Sequence, residues 1–180
     1  MRTKALTAFG AAAALAVAGC GGSGGGGEPT PSAHAIQARV VRVVDGDTIV
    51  ASVEGADQYV RYIGIDTPET VKPGTPVQCY GPQASEENHR LVDGRTVRLV
   101  FDRERRDDYG RLLAYVYTGA GHGTKGAGHG TKSPRFVNAT LVRDGYARTL
   151  TIAPNTAHAP LLGRLAARAG KAGRGLWGEC

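Results

Sequence analysis

The sequence predicts a mainly β domain of the α+β class, with five strands and about three helices. Short runs rich in β-branched residues alternate between apolar and polar positions, which is typical of half-buried strands. Asp-Gly and Gly-rich turns separate the early runs, as expected for antiparallel strands joined by tight turns. Segments with helical spacing come later and carry their apolar residues on one side.

The first three strands are predicted at residues 38–44, 48–53 and 58–65. Asp45-Gly46-Asp47 joins the first two, and Gly55-Ala56-Asp57 joins the second to the third. Because Asp-Gly is a strong signal for a tight hairpin turn, these strands are expected to form an antiparallel meander. Two further strands are predicted at residues 96–101 and 112–117.

Three helices are predicted from start signals, stop signals and spacing. Pro82 occupies a first helical position, and the helix-forming residues 84–91 end at Asp93-Gly94. Residues 136–143 form a second helix, and residues 157–172 form an amphipathic third. Five strands with helices packed at one end favour an OB-fold barrel, an architecture that often binds oligonucleotides. The fold alone does not define a function.

Residues 1–19 have the features of an export signal. A positive start precedes a small, apolar stretch that is too short to span a bilayer well. Val17-Ala18-Gly19-Cys20 resembles a bacterial lipobox, which predicts cleavage before Cys20 and lipidation of its sulfur. An ordinary secretory signal is the alternative. Residues 20–35 are a Gly/Ser/Pro tether, which leaves residues 36–180 as the folded domain.

The chain has 180 residues, a length that suits one ordinary domain and is short for two. Its net charge of +6 favours anionic partners such as nucleic acid or a membrane surface, but does not choose between them. The expected location is outside the cell, either anchored to the membrane by lipid or secreted. The protein is expected to be a monomer.

The chain contains three cysteines. If Cys20 carries lipid, Cys79 and Cys180 remain as a pair in a protein that reaches an oxidising compartment. A disulfide between them is therefore predicted. A metal site is disfavoured because neither cysteine has a second ligand at the usual close spacing.

One segment interrupts the strand and helix pattern. The heptapeptide GAGHGTK occurs twice in tandem, at residues 119–125 and 126–132. A perfect Gly-rich repeat is typical of a recent duplication in a surface loop. His122 and His129 could bind a metal, although solvated side chains are the more common outcome in such a loop.

Carboxylates gather at the ends of the first three strands. Asp47 follows the first turn, and Asp66 and Glu69 follow the third strand, so a meander brings them to the same end of the sheet. Such carboxylates repel one another unless a cation lies between them, and oxygen ligands suit a hard cation such as Ca²⁺. Taken separately, each motif is also what ordinary turns use.

Two arginines suit the chemistry of phosphodiester cleavage. A guanidinium group matches the nonbridging phosphate oxygens in two-point fashion, and negative charge builds up on those oxygens during hydrolysis. Arg61 lies five residues before Asp66, an odd spacing that puts the two side chains on opposite faces of a regular strand. Arg111 begins a later strand. For both arginines, an ordinary solvated charge is the alternative.

Several motifs together resemble the staphylococcal nuclease (thermonuclease) family. The likeness runs in order from about residue 38 to residue 178, with one insertion at the repeat. Any one motif could arise by chance, but the ordered set is specific. The motifs are Val44-Asp45-Gly46-Asp47-Thr48, the run RYIGIDTPET at residues 61–70, YGPQAS at 80–85, DDYGRLLAY at 107–115, Val137-Asn138, LVRDG at 141–145 and Leu176-Trp177.

The resemblance implies a site that binds a metal ion. In the family, the positions of Asp47 and Asp66 supply calcium carboxylates, and the position of Thr67 supplies a backbone carbonyl. Glu69 matches the general base, or organiser, of the attacking water. The implied activity is calcium-dependent hydrolysis of DNA and RNA at the 5′ P–O bond, which leaves 3′-phosphate ends.

The resemblance also implies a substrate site. Arg61 and Arg111 match the pair that holds the phosphate in its transition state, and Tyr109 matches a nucleotide-binding residue. Departures occur nearby: Asp108 stands where the family often has lysine, and Leu150 and Ile152 replace two tyrosines. These changes are expected to weaken nucleotide binding without affecting the metal site.

A non-catalytic OB module on the cell surface, binding nucleic acid or another anion, is the alternative function. In modules of that kind the acidic and arginine positions are lost. This chain retains all of them, which favours the enzyme.

Overall fold

The computed structural model describes residues 35–70, 74, 76–119 and 134–180. The predicted export signal, Cys20, nearly all of the tether and both repeat histidines lie outside these residues. Their assignments therefore stay predictions. Within the described residues, no helix is both long enough and apolar enough to cross a membrane.

The described residues form eight strands and four helices. The strands are β1 (Ala35–Asp45), β2 (Thr48–Val53), β3 (Ala56–Tyr62), β4 (Gly64–Asp66), β5 (Thr96–Val100), β6 (Leu112–Thr118), β7 (Arg135–Phe136) and β8 (Arg148–Leu150). The helices are α1 (Gly81–Val92), α2 (Val137–Arg143), α3 (Ala159–Lys171) and α4 (Leu176–Glu179).

Five of the strands close into a barrel. The order β3-β2-β1-β5-β6 is antiparallel throughout, and a parallel pairing of β3 with β6 joins the two edges. Closure removes the free edges of the sheet. Strand β7 pairs with β6 in the same sheet, and β4 pairs with β8 in a separate two-stranded sheet. The predicted α+β class and five-stranded OB-fold barrel are confirmed.

Helices cover the barrel with apolar side chains. Leu91 of α1, Leu141 of α2 and Leu162 of α3 are buried in the same cluster as the barrel interior. A buried amide also connects α2 to the barrel. Asn138 of α2 accepts a hydrogen bond from the backbone N–H of Val116 and donates one to the carbonyl of Ile63, both at 2.9 Å. Polar links of this kind fix the helices in one position against the barrel.

The prediction of one continuous strand at residues 58–65 is wrong. Strand β3 ends at Tyr62, Ile63 is a turn residue, and β4 begins at Gly64. Gly64 has φ of +80°, and a Cβ there would meet Leu162 Cδ1 at 2.6 Å. The alternation of side chains is therefore interrupted between Tyr62 and Ile65. The predicted bounds of β2 match the observed ones, and the other predicted elements lie within about three residues of the observed bounds at either end.

Cys79 and Cys180 form a disulfide, as predicted, with their Cα atoms 6.0 Å apart. The bond joins the residue that follows α4 to the segment that leads into α1. Because the two cysteines are separated by 101 residues, loop closure stabilises the folded state by up to about 4–5 kcal/mol in the chain-entropy model.

Candidate active site

The turn between β1 and β2 lies against the segment that follows β4. A Cβ added at Gly46 would sit 2.7 Å from Thr67 Oγ1, so only glycine permits this close approach. Asn88 of α1 donates a 2.8 Å hydrogen bond to the carbonyl of Asp45. The Asp-Gly sequence thus serves both a tight turn and the contact that brings Asp47 to Thr67.

Asp47 is held by groups from three parts of the chain. Its side chain is buried, with the residue only 5% exposed. Oδ1 accepts a hydrogen bond from Thr48 Oγ1 at 3.1 Å, and Oδ2 accepts one from the backbone N–H of Thr67 at 2.8 Å. Arg61 forms an ion pair with the same Oδ2. The carboxylate is therefore fixed in orientation before any substrate binds.

Arg61 lies on the same side of the molecule as Asp66, contrary to what a regular strand would give. Its Nη2 donates a 2.7 Å hydrogen bond to Asp66 Oδ1, while Nη1 contacts Asp47. The strand break at Ile63 and Gly64 explains the difference, because it resets the alternation between Arg61 and Asp66. One guanidinium group thus joins the two aspartates.

Burial and charge act together on the ionisable groups of this region. Burial opposes the charged form of Arg61, but the carboxylates of Asp47 and Asp66 outweigh it and raise the pKa of the guanidinium. Burial and the neighbouring Asp47 carboxylate raise the pKa of Asp45 to about 7. Asp45 was not predicted as a site residue, and its place in a common turn gave no signal of this effect.

Glu69 is positioned through its backbone by Gln78. The Glu69 N–H donates to Gln78 Oε1, and the Gln78 N–H donates to the Glu69 carbonyl, both at 2.9 Å. Glu69 Oε1 accepts a hydrogen bond from the N–H of Thr70 at 2.9 Å. Gln78 precedes Cys79, so the disulfide adjoins the segment that supports Glu69.

Arg111 is held by a local turn. Asp107 Oδ2 accepts a 2.7 Å bond from Arg111 Nε, and Oδ1 accepts bonds from the N–H groups of Tyr109 and Arg111 at 3.1 and 3.0 Å. This is an Asx turn that ends in an ion pair. Asp107 is a positioning residue that the sequence reasoning did not single out, although its four-residue spacing from Arg111 was visible.

One cavity of about 460 Å³ brings together the predicted metal and catalytic residues. The predicted residues that line it are Asp47, Arg61, Asp66, Thr67, Glu69 and Arg111. Tyr59, Asp45, Val44 and Thr48 complete the wall.

Tyr109 lies outside this cavity. It is 85% exposed and lines a second cavity of about 370 Å³ together with Asp108, Leu150 and Ile152. The two cavities share Arg61 and Arg111, so they meet at the guanidinium groups. The departures from the family pattern are thus concentrated in the second cavity, and the first retains every predicted residue.

The oxygen atoms that line the first cavity suit a hard cation. Asp47 and Asp66 offer carboxylate oxygens on either side of one guanidinium, and Thr67 Oγ1 is buried with no hydrogen-bond partner among the described residues. No group of three or more His, Cys, Asp or Glu side chains in the described part of the chain is arranged as a metal site. A calcium ion would therefore rely on two carboxylates, with backbone oxygen and water completing its shell.

Fold and site together define an OB-fold protein whose cavity combines carboxylates with guanidinium groups suited to a phosphate. A family described as "Staphylococcal nuclease homologue" matches residues 59–179. The chain belongs to this family. The matched range contains Arg61, Asp66, Thr67, Glu69 and Arg111, while Asp47 precedes it.

Curated relatives agree with this membership. A thermonuclease of Staphylococcus hyicus is 38% identical over 139 residues, which cover 77% of this chain and 74% of the relative. A thermonuclease of Staphylococcus intermedius is 41% identical over 138 residues, with the same coverage of each chain. Endonuclease YncB of Bacillus subtilis (strain 168) is 43% identical over 117 residues, covering 64% of this chain and 49% of the relative.

Proposed function

We propose that the protein is a calcium-dependent nuclease that hydrolyses DNA and RNA at the 5′ P–O bond and leaves 3′-phosphate ends. Membership of the family and similarity to thermonucleases support the coarser activity, hydrolysis of nucleic acid phosphodiesters. The choice of calcium and the position of the cleaved bond are the finer parts of the proposal. They rest on the donor chemistry of the first cavity and on the family resemblance.

A single observation carries the proposal: two guanidinium groups, three aspartates and one glutamate line the same cavity. Arginine forks bind nonbridging phosphate oxygens, and the carboxylates supply hard oxygen ligands and a water-activating group. A site built only to bind an anion gains nothing from buried carboxylates, because they repel the phosphate.

Arg61 and Arg111 act on the phosphate. Each presents nitrogen donors to the cavity, and charge-assisted bonds to nonbridging oxygens strengthen as negative charge accumulates there. Asp47, Asp66 and Asp107 hold these guanidinium groups by ion pairs before the substrate arrives. The arginines therefore need little reorganisation at the moment of reaction.

Glu69 acts on the attacking water. Its carboxylate accepts the water proton or orients the water for in-line attack, and its backbone pairing with Gln78 limits the motion of the group. Asp47, Asp66 and the Thr67 carbonyl would hold calcium. When bound, the ion supplies positive charge that polarises a phosphate oxygen.

The proposal is tested by release of acid-soluble nucleotides from single-stranded DNA and from RNA. Release is expected with added calcium, loss of release with a chelator, and restoration on adding calcium back. The products are expected to lose inorganic phosphate from their 3′ ends when treated with a phosphatase. Glu69→Gln is the matched control, because it keeps the shape of the side chain and removes its basicity. Chelator-resistant cleavage, or 5′-phosphate products, would contradict the finer proposal.

A non-catalytic binding module is the second candidate function. The retained Glu69 argues against it, since binding an anion does not need that carboxylate. The same assay separates the two: binding of oligonucleotide without any release of nucleotides would support the module.

Export and lipid anchoring are also proposed. The support is the N-terminal pattern that ends at Cys20 and the Cys79–Cys180 disulfide, which is typical of oxidising compartments. Mass analysis of the mature protein should find a lipid on Cys20 and no residues before it. A mature protein with an unmodified Cys20 would contradict the anchor.

A further inference from the structure

Tyr59 is a large side chain on the wall of the first cavity that the proposed mechanism does not use. It is 48% exposed, although it lies within a barrel strand, and it lines the cavity together with Arg61. The two residues are two positions apart on β3, so their side chains leave the same face of the sheet. Tyr59 therefore flanks the place where Arg61 would hold a phosphate.

Arg42 holds the tyrosine through its hydroxyl group and lies over its ring. Tyr59 pairs with Val50, and Val50 pairs with Arg42, so the three side chains form one row across β3, β2 and β1. Val50 is buried in the middle of this row. Arg42 Nη2 donates a 2.9 Å hydrogen bond to the Tyr59 hydroxyl, and Arg42 Cζ lies 5.5 Å from the ring centroid.

Arg42 brings charge as well as support. Among the described residues it takes part in no ion pair, in contrast to Arg61 and Arg111. A fixed aromatic ring beside an arginine without a carboxylate partner is the combination that single-stranded nucleic acid binds, by base stacking and by attraction of the backbone.

The second exposed tyrosine of the site lies in the other cavity. Tyr109 lines the second cavity and Tyr59 the first, and the two cavities meet at Arg61 and Arg111. A phosphodiester held by these arginines carries one nucleoside on each side. Two cavities with one exposed tyrosine each therefore offer one ring for each base.

We propose that Tyr59, supported by Arg42, is a stacking site for the base on one side of the scissile phosphate, and that the ring of Tyr109 is available to the base on the other side. This inference rests on the proposed function and extends it to the second nucleoside of the substrate. Because Leu150 and Ile152 line the second cavity at positions where the family has tyrosines, Tyr109 is the exposed ring left there, and the Tyr59 site is expected to supply a large share of base binding.

The test uses dinucleoside monophosphates, with the full protein and calcium. One substrate has two bases, and in each of two others one sugar carries no base. Tyr59→Leu is expected to raise KM about tenfold for the two-base substrate and for one of the one-base substrates, with kcat nearly unchanged. Tyr109→Leu should affect the opposite one-base substrate. Tyr59→Phe keeps the ring and should stay within about threefold of the wild type.

A binding measurement that does not depend on cleavage separates the proposed nuclease function from the proposed stacking site. In a Trp177→Phe background, Tyr59→Trp should lose fluorescence on binding the two-base substrate and the one-base substrate that Tyr59→Leu impairs. Quenching without cleavage by the wild type would overturn the proposed function and keep the stacking site. Cleavage by the wild type with equal KM effects of Tyr59→Leu on both one-base substrates, or with none, would overturn the stacking site.

Discussion

Arg61 and Arg111 face the same cavity but are held in different ways. Arg61 joins Asp47, in the turn between β1 and β2, to Asp66 at the end of β4, and its side chain is 15% exposed. Arg111 is tied to Asp107, four residues earlier in the same turn, and its side chain is 33% exposed. The first arginine depends on the tertiary fold, whereas the second depends on a local turn.

This difference separates stability from catalysis. Removing Arg61 leaves the buried Asp47 carboxylate without its counter-charge, so it should affect folding and chemistry together. Removing Arg111 leaves a local, partly solvated aspartate, so it affects chemistry with little cost in folding.

The largest expected effect is on turnover. Glu69→Gln and Arg111→Ala should each lower kcat on single-stranded DNA by about 10²–10³-fold, since each removes a group that we propose acts on the transition state. Both variants should fold normally, as judged by urea unfolding. Near-normal cleavage by either one would reject the assigned role of that residue.

The second effect is on stability. Arg61→Ala should lower the free energy of unfolding by about 3 kcal/mol, because Asp47 stays buried without its guanidinium partner. Arg111→Ala should lower it by less than about 1 kcal/mol. Urea unfolding in the presence of a chelator measures both. Arg61→Lys retains the charge but not the fork, so it should recover part of the stability and little of the activity. Equal destabilisation by the two alanine variants would remove the contrast.

A smaller effect on turnover is expected when the carboxylate that holds Arg111 is removed. Asp107→Ala should lower kcat by about 10- to 100-fold, because the guanidinium loses its fixed position. Asp107→Asn keeps an oxygen that can accept the turn hydrogen bonds and should lie between this variant and the wild type. The measurement is kcat at saturating substrate. An unchanged kcat in Asp107→Ala would show that the backbone of the turn positions Arg111 without the Asp107 side chain.

The smallest effect concerns His158, a half-buried side chain. His158 packs against the Tyr115 ring, with centroids 4.4 Å apart, and lies 3.4 Å from the Tyr117 hydroxyl. Burial lowers the pKa of His158, and the nearby Asp102 only partly opposes this. The unfolded chain therefore binds the proton more readily, and stability should fall as the pH drops below about 6.5.

His158→Phe removes the titrating group and keeps an aromatic ring. The loss of stability between pH 7.5 and pH 5.5 should be smaller in this variant than in the wild type, as measured by urea unfolding at both pH values. The acidic residues contribute equally to both proteins, so the difference isolates His158. Parallel pH profiles would contradict the direction assigned to its pKa.

The barrel and the members of the site were predictable from the sequence because their signals are local. Asp-Gly turns and period-two runs define strands, and the ordered motifs place Asp47, Asp66, Glu69 and Arg111 at strand ends. The placement of Arg61 on the same side as Asp66 was not predictable, because it depends on the turn at Ile63. Nothing within one strand shows that the alternation is reset there.

Long-range support was also beyond the sequence pattern. Gln78 and Asn88 act by bonding the backbone of Glu69 and Asp45, and backbone recognition leaves no characteristic spacing in the chain. The exposed position of Tyr59 was not predictable from the sequence either, because tyrosine is common in strands.

The Gly-rich insertion lies in the sequence between strands β6 and β7. Thr118 and Arg135 are paired across these two strands, so the insertion leaves and re-enters the fold at neighbouring points. The entropy of closing such a loop changes by only about 0.6 kcal/mol for each doubling of its length. The number of heptapeptide copies between Thr118 and Arg135 is therefore expected to change at little cost in stability, and a tag inserted there should leave the barrel unaltered.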